Sequence, residues 1–440
     1  MQFEFAAPSA LDLSNRSANT ARLLNMYRED AGDGAIWCRS MPGMTQFATT
    51  GNVFCRAMAE VDDEIYIVQG GALFQITTGG VAISLGAVTD SADTSISGNN
   101  GNVTVVAGGT YYVWDGATLT QPSGGAFSDF GDVSFFAQLT ILTERAGRRV
   151  QWTSLADPTT LNALDFATTE ARDDKLLRVM PVGSALWFFK DTSIEPWYAT
   201  GVGVAATPGA TIDRGLKSRN LIAQVPGGVF FVGDDSNTYL GSMNGLTPIT
   251  IEAVATAIAD GVPERAFYFE SLGQTFVALV FGDRPAWVYN TKTGEWCERA
   301  QGNLLGPWDA KACVRARGIF YVGTDSGPVA TLGRTNRDFG MTLVRRIVSR
   351  TVVQEGMRFN VPKIQVTTKV GFFDPAPTIG MRMSNTFGKT WKIERTGTLG
   401  ELGDYLDRTI FRRLGRYRQA TMELTLSTEE DVTISAVAYV

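Results

Sequence analysis

A hairpin pattern returns seven times along this chain at nearly regular intervals. Each copy has two short runs in which apolar residues alternate with others, joined by a tight turn, as in EIYIVQGGALFQI from Glu64. The copies begin at residues 64, 102, 137, 184, 228, 274 and 318, so their starts are separated by 38, 35, 47, 44, 46 and 44 residues. This period is typical of a β-propeller blade of about four strands, because each blade needs its neighbours to cover its faces. The sequence therefore predicts an all-β protein with a β-propeller over residues 31–335.

The pattern changes after Gly333, where longer alternating segments such as ATMELTLS and VTISAVAYV replace the hairpins. These segments predict a separate antiparallel β-sandwich over residues 336–440. We expect residues 1–30 to run as an N-terminal arm or to supply a strand that completes a blade. A short helix is predicted from Thr250, as the N-cap, to Gly261, as the stop signal.

Charge divides the chain in the same place as the strand pattern. Residues 338–440 carry 15 Lys and Arg against 11 Asp and Glu, whereas the first 337 residues carry 24 against 34. The C-terminal part is therefore about +4 and the propeller part about −10. Such asymmetry indicates two surfaces that face different partners.

Residue types that support catalysis are scarce. The chain has no histidine, which removes the commonest general base and the commonest metal ligand. The four cysteines are too widely spaced for a zinc knuckle and are expected as buried free thiols. The acidic clusters VDDE (61–64) and GDD (233–235) lack the spacing of a calcium loop and are expected as turn carboxylates. We therefore predict a protein that is not an enzyme, with no catalytic, cofactor or metal site and no cofactor.

Targeting features are also missing. The start, MQFEFAAPSA, lacks the charged and apolar regions of a signal peptide, and no run reaches the roughly twenty apolar residues of a membrane span. We expect a protein made in a cytoplasm, with no membrane span.

One segment keeps an alternative open. SNTFGKTW, from Ser384 to Trp391, is similar to the Asp-box of sialidases and related propellers, with Thr386 where the box has its Asp. Glycosidase chemistry can run without histidine. The alternative function is therefore a carbohydrate-binding or sialidase-like receptor-binding tail propeller, which would need an aromatic-lined pocket with converging carboxylates and arginine.

The N-terminal stretch LLNMYREDAG...WCRSMPGMTQF, residues 23–47, resembles the opening of a known family. That family is the packaged-DNA stabilisation proteins, also called tail hub or nozzle proteins, of short-tailed bacteriophages. The residues that carry the resemblance are Asn25, Tyr27, Glu29, Arg39, Pro42 and Gly43. Two further segments are similar in the same order, residues 152–201 and the C-terminal FRRLGRYRQATMELTL with its closing strand.

The resemblance implies a structural virion protein of the phage tail, made in the host cytoplasm. Its members are expected to form a homo-hexameric ring below the portal and the head-to-tail adaptor. Such a ring would retain packaged DNA, form the DNA exit channel for transient passage of the double-stranded DNA, and anchor tailspikes or fibres and a plug or needle. An acidic propeller at the channel would repel the duplex and ease its passage.

Arginines concentrate near the C-terminus, in FRRLGRYRQA from Phe411 to Ala420. The candidate contact residues are Arg408, Arg412, Arg413, Arg416 and Arg418. Their planar forks suit carboxylates and phosphates alike, so three roles stay open: a solvated strand face, docking on an acidic protein neighbour, and contact with DNA. The acidic remainder of the chain favours docking, because a nucleic-acid binder usually has a basic domain.

Overall fold

Strands make up almost all of the regular structure. A computed structural model describes residues 7–9, 20–30, 36–354, 357–368, 372–405 and 408–439, and these contain 41 strands and one α-helix. The first strands are β1 (Arg22–Leu24), β2 (Met26–Asp30), β3 (Ile36–Ser40) and β4 (Gly43–Thr49). The all-β prediction is confirmed.

Six blades of four antiparallel strands follow in chain order. The first three are β5 (Cys55–Val61), β6 (Glu64–Gln69), β7 (Ala72–Ile76) and β8 (Ala82–Ala87); β9 (Thr94–Asn99), β10 (Asn102–Ala107), β11 (Thr110–Trp114) and β12 (Leu119–Thr120); and β13 (Phe130–Phe136), β14 (Leu139–Glu144), β15 (Arg149–Ser154) and β16 (Asp157–Thr168). The next two are β17 (Leu176–Val182), β18 (Ala185–Lys190), β19 (Ile194–Ala199) and β20 (Val204–Ala206); and β21 (Ile222–Val225), β22 (Gly228–Val232), β23 (Thr238–Ser242) and β24 (Gly245–Pro248). Helix α1 (Glu252–Asp260) precedes the sixth, β25 (Pro263–Ser271), β26 (Gln274–Phe281), β27 (Ala286–Asn290) and β28 (Glu295–Arg299).

The seventh blade is closed by a strand from the other end of the propeller sequence. It consists of β29 (Ala310–Ala316), β30 (Ile319–Thr324) and β31 (Pro328–Gly333), with β4 as its fourth strand. Strand β4 pairs with β31 from Gly43 opposite Gly333 to Thr49 opposite Pro328. The seven hairpins found in the sequence are the second and third strands of the seven blades, so the propeller prediction is confirmed.

The remaining strands follow the seventh blade in the chain, and most of them build the sandwich. They are β32 (Arg337–Asp338), β33 (Met341–Thr342), β34 (Arg345–Val348), β35 (Val352–Val353), β36 (Phe359–Thr368), β37 (Thr378–Ser384), β38 (Arg395–Thr398), β39 (Thr409–Tyr417), β40 (Gln419–Leu426) and β41 (Ile434–Tyr439). One layer has the order β1-β34-β40-β37-β38, with β35 also on β40, and the other has the order β2-β3-β41-β36-β39. The short β32 and β33 instead extend the seventh blade beyond β4.

The N-terminal strands lie elsewhere than the sequence suggested. Residues 22–30, expected as an arm or a blade strand, form two sandwich strands, and residues 36–40, expected in the propeller, form a third. Their buried Leu23, Met26 and Cys38 share one hydrophobic core with the sandwich residues Ile347 and Met422, which is the physical reason for this placement. The strand that completes a blade is residues 43–49, and residues 1–6 and 10–19 lie outside the described part of the chain.

Propeller and sandwich are joined by a continuous sheet. Leu24 in β1 pairs in parallel with Glu298 in β28, and β1 also pairs antiparallel with β34. The sixth blade and one sandwich layer therefore form a ten-stranded sheet. Arg22 reinforces this joint with two hydrogen bonds, at 2.7 and 2.8 Å, to the Glu298 carboxylate.

Helix α1 covers the side of the propeller between the fifth and sixth blades. Its buried face presents Val254 and Ile258 to their core. The expected N-cap is wrong: Ile251 occupies that position, and the Thr250 hydroxyl instead accepts a hydrogen bond from the Thr238 backbone. Gly261 ends the helix as expected, donating its N–H to the Ala257 carbonyl at 2.9 Å.

Candidate assembly site

Arg412, Arg413 and Arg416 lie on strand β39, at the end of the five-stranded sandwich layer, and Arg408 and Arg418 flank this strand. The pairing of β39 with β36 shifts between Val361 and Lys363, and Arg413 adopts a φ of 55° in the resulting bulge. A bulge inserts one extra residue into a strand. Both Arg412 and Arg413 therefore point to solvent, while Phe411 and Leu414 on either side of them are buried in the core.

All five candidate arginines, Arg408, Arg412, Arg413, Arg416 and Arg418, are exposed. Within the described ranges, the last four make no ion pair with any carboxylate. Arg395 adds a further cation here, since it donates to the backbone carbonyls of Arg412 at 2.5 Å and Arg413 at 3.1 Å. This strand thus offers guanidinium forks that are free to bind an external carboxylate or phosphate.

An apolar groove runs beside β39 and shares two of its side chains. It has a volume of about 560 Å³. Its lining consists of Met381, Arg382, Met383, Trp391, Lys392, Ile393, Arg395, Leu414 and Tyr417. Ile393 is 92% exposed, which is unusual for a side chain of this size. Among the residues that the structure describes, this lining includes three cations and no carboxylate.

Cation–π contacts hold the rim of the groove in place. The Arg382 guanidinium lies 5.0 Å from the Trp391 ring centroid and also hydrogen-bonds Glu423. The Lys392 ammonium lies 4.1 Å from the Tyr417 ring centroid and 2.9 Å from its hydroxyl oxygen. An apolar floor with an ordered cationic rim suits a protein surface that is both apolar and acidic.

The Asp-box-like segment positions Trp391 on this rim. The Ser384 hydroxyl oxygen accepts hydrogen bonds from the backbone N–H groups of Thr386 and Gly388, at 3.1 and 3.0 Å. The Thr386 hydroxyl is 2.7 Å from that of Thr390 and so closes the loop. These hydrogen bonds stabilise the loop, and no step of sugar cleavage follows from them.

The N-terminal signature residues lie in a different place, at the joint between propeller and sandwich. Asn25 is buried with a φ of 58°. Its side chain donates to the Val344 carbonyl at 2.7 Å and accepts from the Ala300 N–H at 2.7 Å. One amide group therefore links the sandwich entry, the end of the sixth blade and the N-terminal strands.

A buried ion pair lies beside Asn25. Arg299 binds Asp338 through two hydrogen bonds, at 2.6 and 2.9 Å, and both side chains are at most 1% exposed. The Arg299 guanidinium also lies 4.9 Å from the Trp308 ring and donates to the Pro42 carbonyl. Asp338 in turn accepts from the backbone N–H groups of Met44 and Gly302. This network ties β28, β4 and β32 together.

The other signature residues pack around the same joint. Tyr27 is buried edge-on against Phe276, 5.0 Å between ring centroids, and burial raises the pKa of its hydroxyl. Arg39 pairs with Glu29 and lies over the Trp37 ring. Gly43 is fixed by a close approach, because a Cβ there would lie 2.3 Å from the carbonyl oxygens of Thr335 and Arg337. The signature residues thus stabilise the joint between propeller and sandwich.

Sequence reasoning missed Arg299, Asp338 and Arg345. Arg345 is fully buried, donates to Ser40 at 2.6 Å and to the carbonyls of Thr428 and Glu430, and burial lowers its pKa to about 10. A charged residue inside an alternating apolar strand, as in TLVRRIV, was the available signal. Its partners are distant in sequence, so pairing could not be predicted from the pattern.

The acidic clusters support turns, as expected. Asp62 and Asp63 form the turn between β5 and β6, and Asp63 accepts from the Arg317 N–H at 2.6 Å. Asp234 and Asp235 both pair with Arg214 at 3.1 Å. Among the residues that the structure describes, no three or more Cys, Asp or Glu side chains are grouped so as to hold a metal ion.

The cysteine side chains differ in their exposure to solvent. All four thiols are free; Cys38, Cys55 and Cys297 are buried and Cys313 is half-buried. Burial raises the pKa of each thiol, that of Cys55 to about 12.

In the described ranges, no helix has the length and apolar character needed to cross a membrane.

Two family models match the chain in the order of its two parts. The model described as "Bacteriophage P22 Gp10, beta-propeller" matches residues 19–262, and the model described as "Bacteriophage P22 Gp10, beta-sandwich" matches residues 345–437. Together they cover well over half of the chain. No curated protein matches the sequence.

Solved structures show only distant likeness. The Pan2 WD40 domain of Neurospora crassa is 7% identical, with a TM-score of 0.46 over 67% of this chain and 94% of that one. BamB of Moraxella catarrhalis is 13% identical, with a TM-score of 0.40 over 75% and 97%. The computationally designed Ika8 protein is 11% identical, with a TM-score of 0.43 over 65% and 99%. At such scores these likenesses carry no argument about this chain.

Proposed function

This chain belongs to the bacteriophage P22 Gp10 family, the tail hub or nozzle proteins that stabilise packaged DNA, and from that premise we propose its role in the particle. As a member it is a structural protein of the phage tail. We propose that it forms a homo-hexameric ring below the portal and the head-to-tail adaptor. The ring retains packaged DNA, surrounds its exit channel, and anchors tailspikes or fibres and a plug.

The exposed cationic edge is the observation that carries the assembly role. Four arginines on or beside β39 have no carboxylate partner in the described part of the chain, and the adjoining groove exposes apolar surface. Exposed edges and apolar patches favour association with other proteins. We infer that the arginines and the groove dock on an acidic surface of a ring neighbour or of the adaptor.

Charge complementarity supports this assignment over DNA binding. The propeller part of the sequence carries about −10 and the sandwich part about +4. We propose that in the ring the sandwich of one subunit lies near the propeller of the next, so that opposite charges meet. The same acidic propellers repel the DNA backbone and would favour its exit.

Replacing Arg412 and Arg413 together by Ala tests the proposal. Both side chains are solvent-exposed, so the protomer is expected to fold normally while assembly weakens. The matched control replaces Arg148 and Arg172, two exposed propeller arginines, by Ala. Circular dichroism checks folding, and sedimentation with incorporation into tails measures assembly.

Each outcome separates the candidate roles. Loss of incorporation in the Arg412/Arg413 variant, with the control incorporated normally, supports docking. Normal incorporation with loss of packaged DNA supports direct contact of β39 with DNA. Normal incorporation and normal DNA retention would contradict both roles. Saturable binding of a glycan by a chain that never enters a tail ring would favour the receptor-binding alternative.

A further inference from the structure

The first strands of the seven blades lie around the propeller axis, and residues of six of these blades line an axial cavity of about 460 Å³. Five of these strands share a bulge between their first and third residues. The residues directly after the bulges are Ala57, Asp132, Arg178, Arg265 and Ala312. The repeated bulge therefore brings two arginines to equivalent positions of the cavity wall, and Arg219, just before β21, lines the same cavity.

Positive charge in this cavity exceeds its internal compensation. Arg178 pairs with Asp132 at 2.9 Å, and Arg219 approaches the same carboxylate oxygen at 3.6 Å. The other oxygen of Asp132 accepts from the Val179 N–H at 2.8 Å. Within the described part of the chain, the Arg265 side chain makes one hydrogen bond, to the Asn220 amide oxygen at 3.4 Å. Among the described residues, Asp132 is the one carboxylate that contacts any of these three guanidiniums, whereas Glu60, which also lines the cavity, accepts from the Asp63 N–H. About two positive charges are therefore unmatched.

The two remaining cations on this wall, Lys311 and Arg315, are each paired with a carboxylate, and Arg315 lies 3.8 Å from Glu270. Lys311 is held by Glu264, and Asp325 lies 3.7 Å away. The acidic groups near Lys311 are therefore occupied. They do not remove the imbalance at the three arginines.

Guanidinium donors in the cavity are left without partners. The Nε of Arg178 and both Nε and Nη2 of Arg219 are buried and make no hydrogen bond within the described residues. Buried donors of charged groups are costly unless they are satisfied. Burial, together with the nearby guanidiniums, also lowers the pKa of Arg219 and of Arg265.

We propose that the axial cavity binds a small tetrahedral oxyanion such as inorganic phosphate, held by the forks of Arg178, Arg219 and Arg265. A phosphate supplies the missing negative charge and several acceptor oxygens for the unpartnered donors. Planar guanidinium forks match such oxyanions with paired hydrogen bonds. This site is distinct from the β39 surface and does not depend on ring assembly.

Isothermal titration calorimetry with inorganic phosphate, in a chloride buffer of fixed ionic strength, tests the site directly. We expect saturable binding to the full chain and a rise in its thermal unfolding temperature. Arg219→Ala should weaken phosphate binding about ten-fold or more, and Arg219→Lys, which keeps the charge but loses the fork, by less. The matched control is Arg315→Ala, four residues beyond Lys311 on the same wall, which should change the affinity by less than about two-fold.

Several results would overturn the proposal. One is that phosphate neither binds saturably to the unmodified chain nor raises its unfolding temperature. Another is that the Arg219→Ala variant binds phosphate with the same affinity as the unmodified chain. Acetate binding as tightly as phosphate would show a carboxylate site instead. Arg219→Ala removes one of three mutually repelling cations, so this variant is expected to fold. If a variant fails to fold, the stabilisation of the unmodified chain by phosphate still tests the site.

Discussion

Asp338 is the carboxylate that pairs with Arg299 at the joint between propeller and sandwich. It is fully buried, and its carboxylate balances Arg299 while accepting from two backbone N–H groups. Asp338→Ala leaves the Arg299 charge buried without its partner, a change that costs about 3–5 kcal/mol. We expect a corresponding fall in the free energy of unfolding, measured with guanidinium chloride.

The neighbouring residue provides the control for this prediction. Arg337 forms an exposed ion pair with Glu429, and such pairs contribute about 0–1 kcal/mol. Arg337→Ala should therefore leave the denaturation midpoint nearly unchanged. Equal effects of the two substitutions would show that the buried pair does not stabilise the joint.

Asp174 gives the fold a titratable contact on the acid side. It lies 2.7 Å from the buried Lys190 ammonium and accepts from Ser193 at 2.8 Å. Burial acts to raise the pKa of Asp174, but the hydrogen bonds from Lys190, Ser193 and Thr192 outweigh it, so the pKa is lowered. Its contribution to stability is therefore present above the unfolded-state pKa of about 3.9 and is lost as pH falls through the folded-state pKa.

Asp174→Asn should lower stability at pH 7 and reduce the loss of stability on acidification. Asp173→Asn is the control, because the Asp173 side chain is 92% exposed. Thermal unfolding between pH 2 and pH 7, at about one-unit steps, measures both effects. An Asp174 variant whose stability runs parallel to that of the unmodified chain over this whole range would refute the assignment.

At the scale of the element, strand β4 completes the seventh blade and is tightly packed at its first residue, Gly43. Gly43 and Gly333 lie opposite one another across β4 and β31. A Cβ at Gly43 would meet two carbonyl oxygens at 2.3 Å, whereas a Cβ at Gly333 would meet no atom within 4 Å. Gly43→Ala should therefore cost about 1–3 kcal/mol through backbone displacement, and Gly333→Ala less than about 0.5 kcal/mol.

Differential scanning calorimetry of the two glycine variants checks this prediction. The pair is closely matched, since both residues belong to the same ladder position. Similar unfolding temperatures for both variants would contradict the close approach at Gly43.

The sequence predicted the elements whose signal is local. Alternating apolar runs with glycine turns marked all seven blade hairpins, since the turn and both strands lie within about twenty residues of each other. Closure by β4 could not be located, because Gly43 and Gly333 are almost three hundred residues apart in the chain. The three strands before β4 were misplaced for the same reason: β1 pairs with β34, β3 pairs with β41, and β2 joins the sandwich through β3.

The candidate site was predictable in its composition and not in its surroundings. The density of arginine at Arg412 and Arg413 was visible in the sequence. The bulge that exposes both, and the groove beside them, depend on pairing with β36 and on packing of β37. The axial arginines gave no signal, since Arg178, Arg219 and Arg265 are separated by 41 and 46 residues along the chain.

At the scale of the whole molecule, the joint connects propeller and sandwich into one structural unit. A ten-stranded sheet and one shared hydrophobic core connect propeller and sandwich, so we expect them to move as a unit. We expect such a subunit, with an acidic propeller and a cationic sandwich edge, to suit the proposed ring, in which each edge would meet the opposite charge of its neighbour.

Cryo-electron microscopy of intact tails tests the central claim most directly. The account predicts six copies of this chain in a ring around the DNA channel, with the β39 arginines and the adjoining groove covered by a neighbouring subunit or the adaptor. A map in which the chain stands alone, away from the DNA channel and with the β39 face open to solvent, would contradict it.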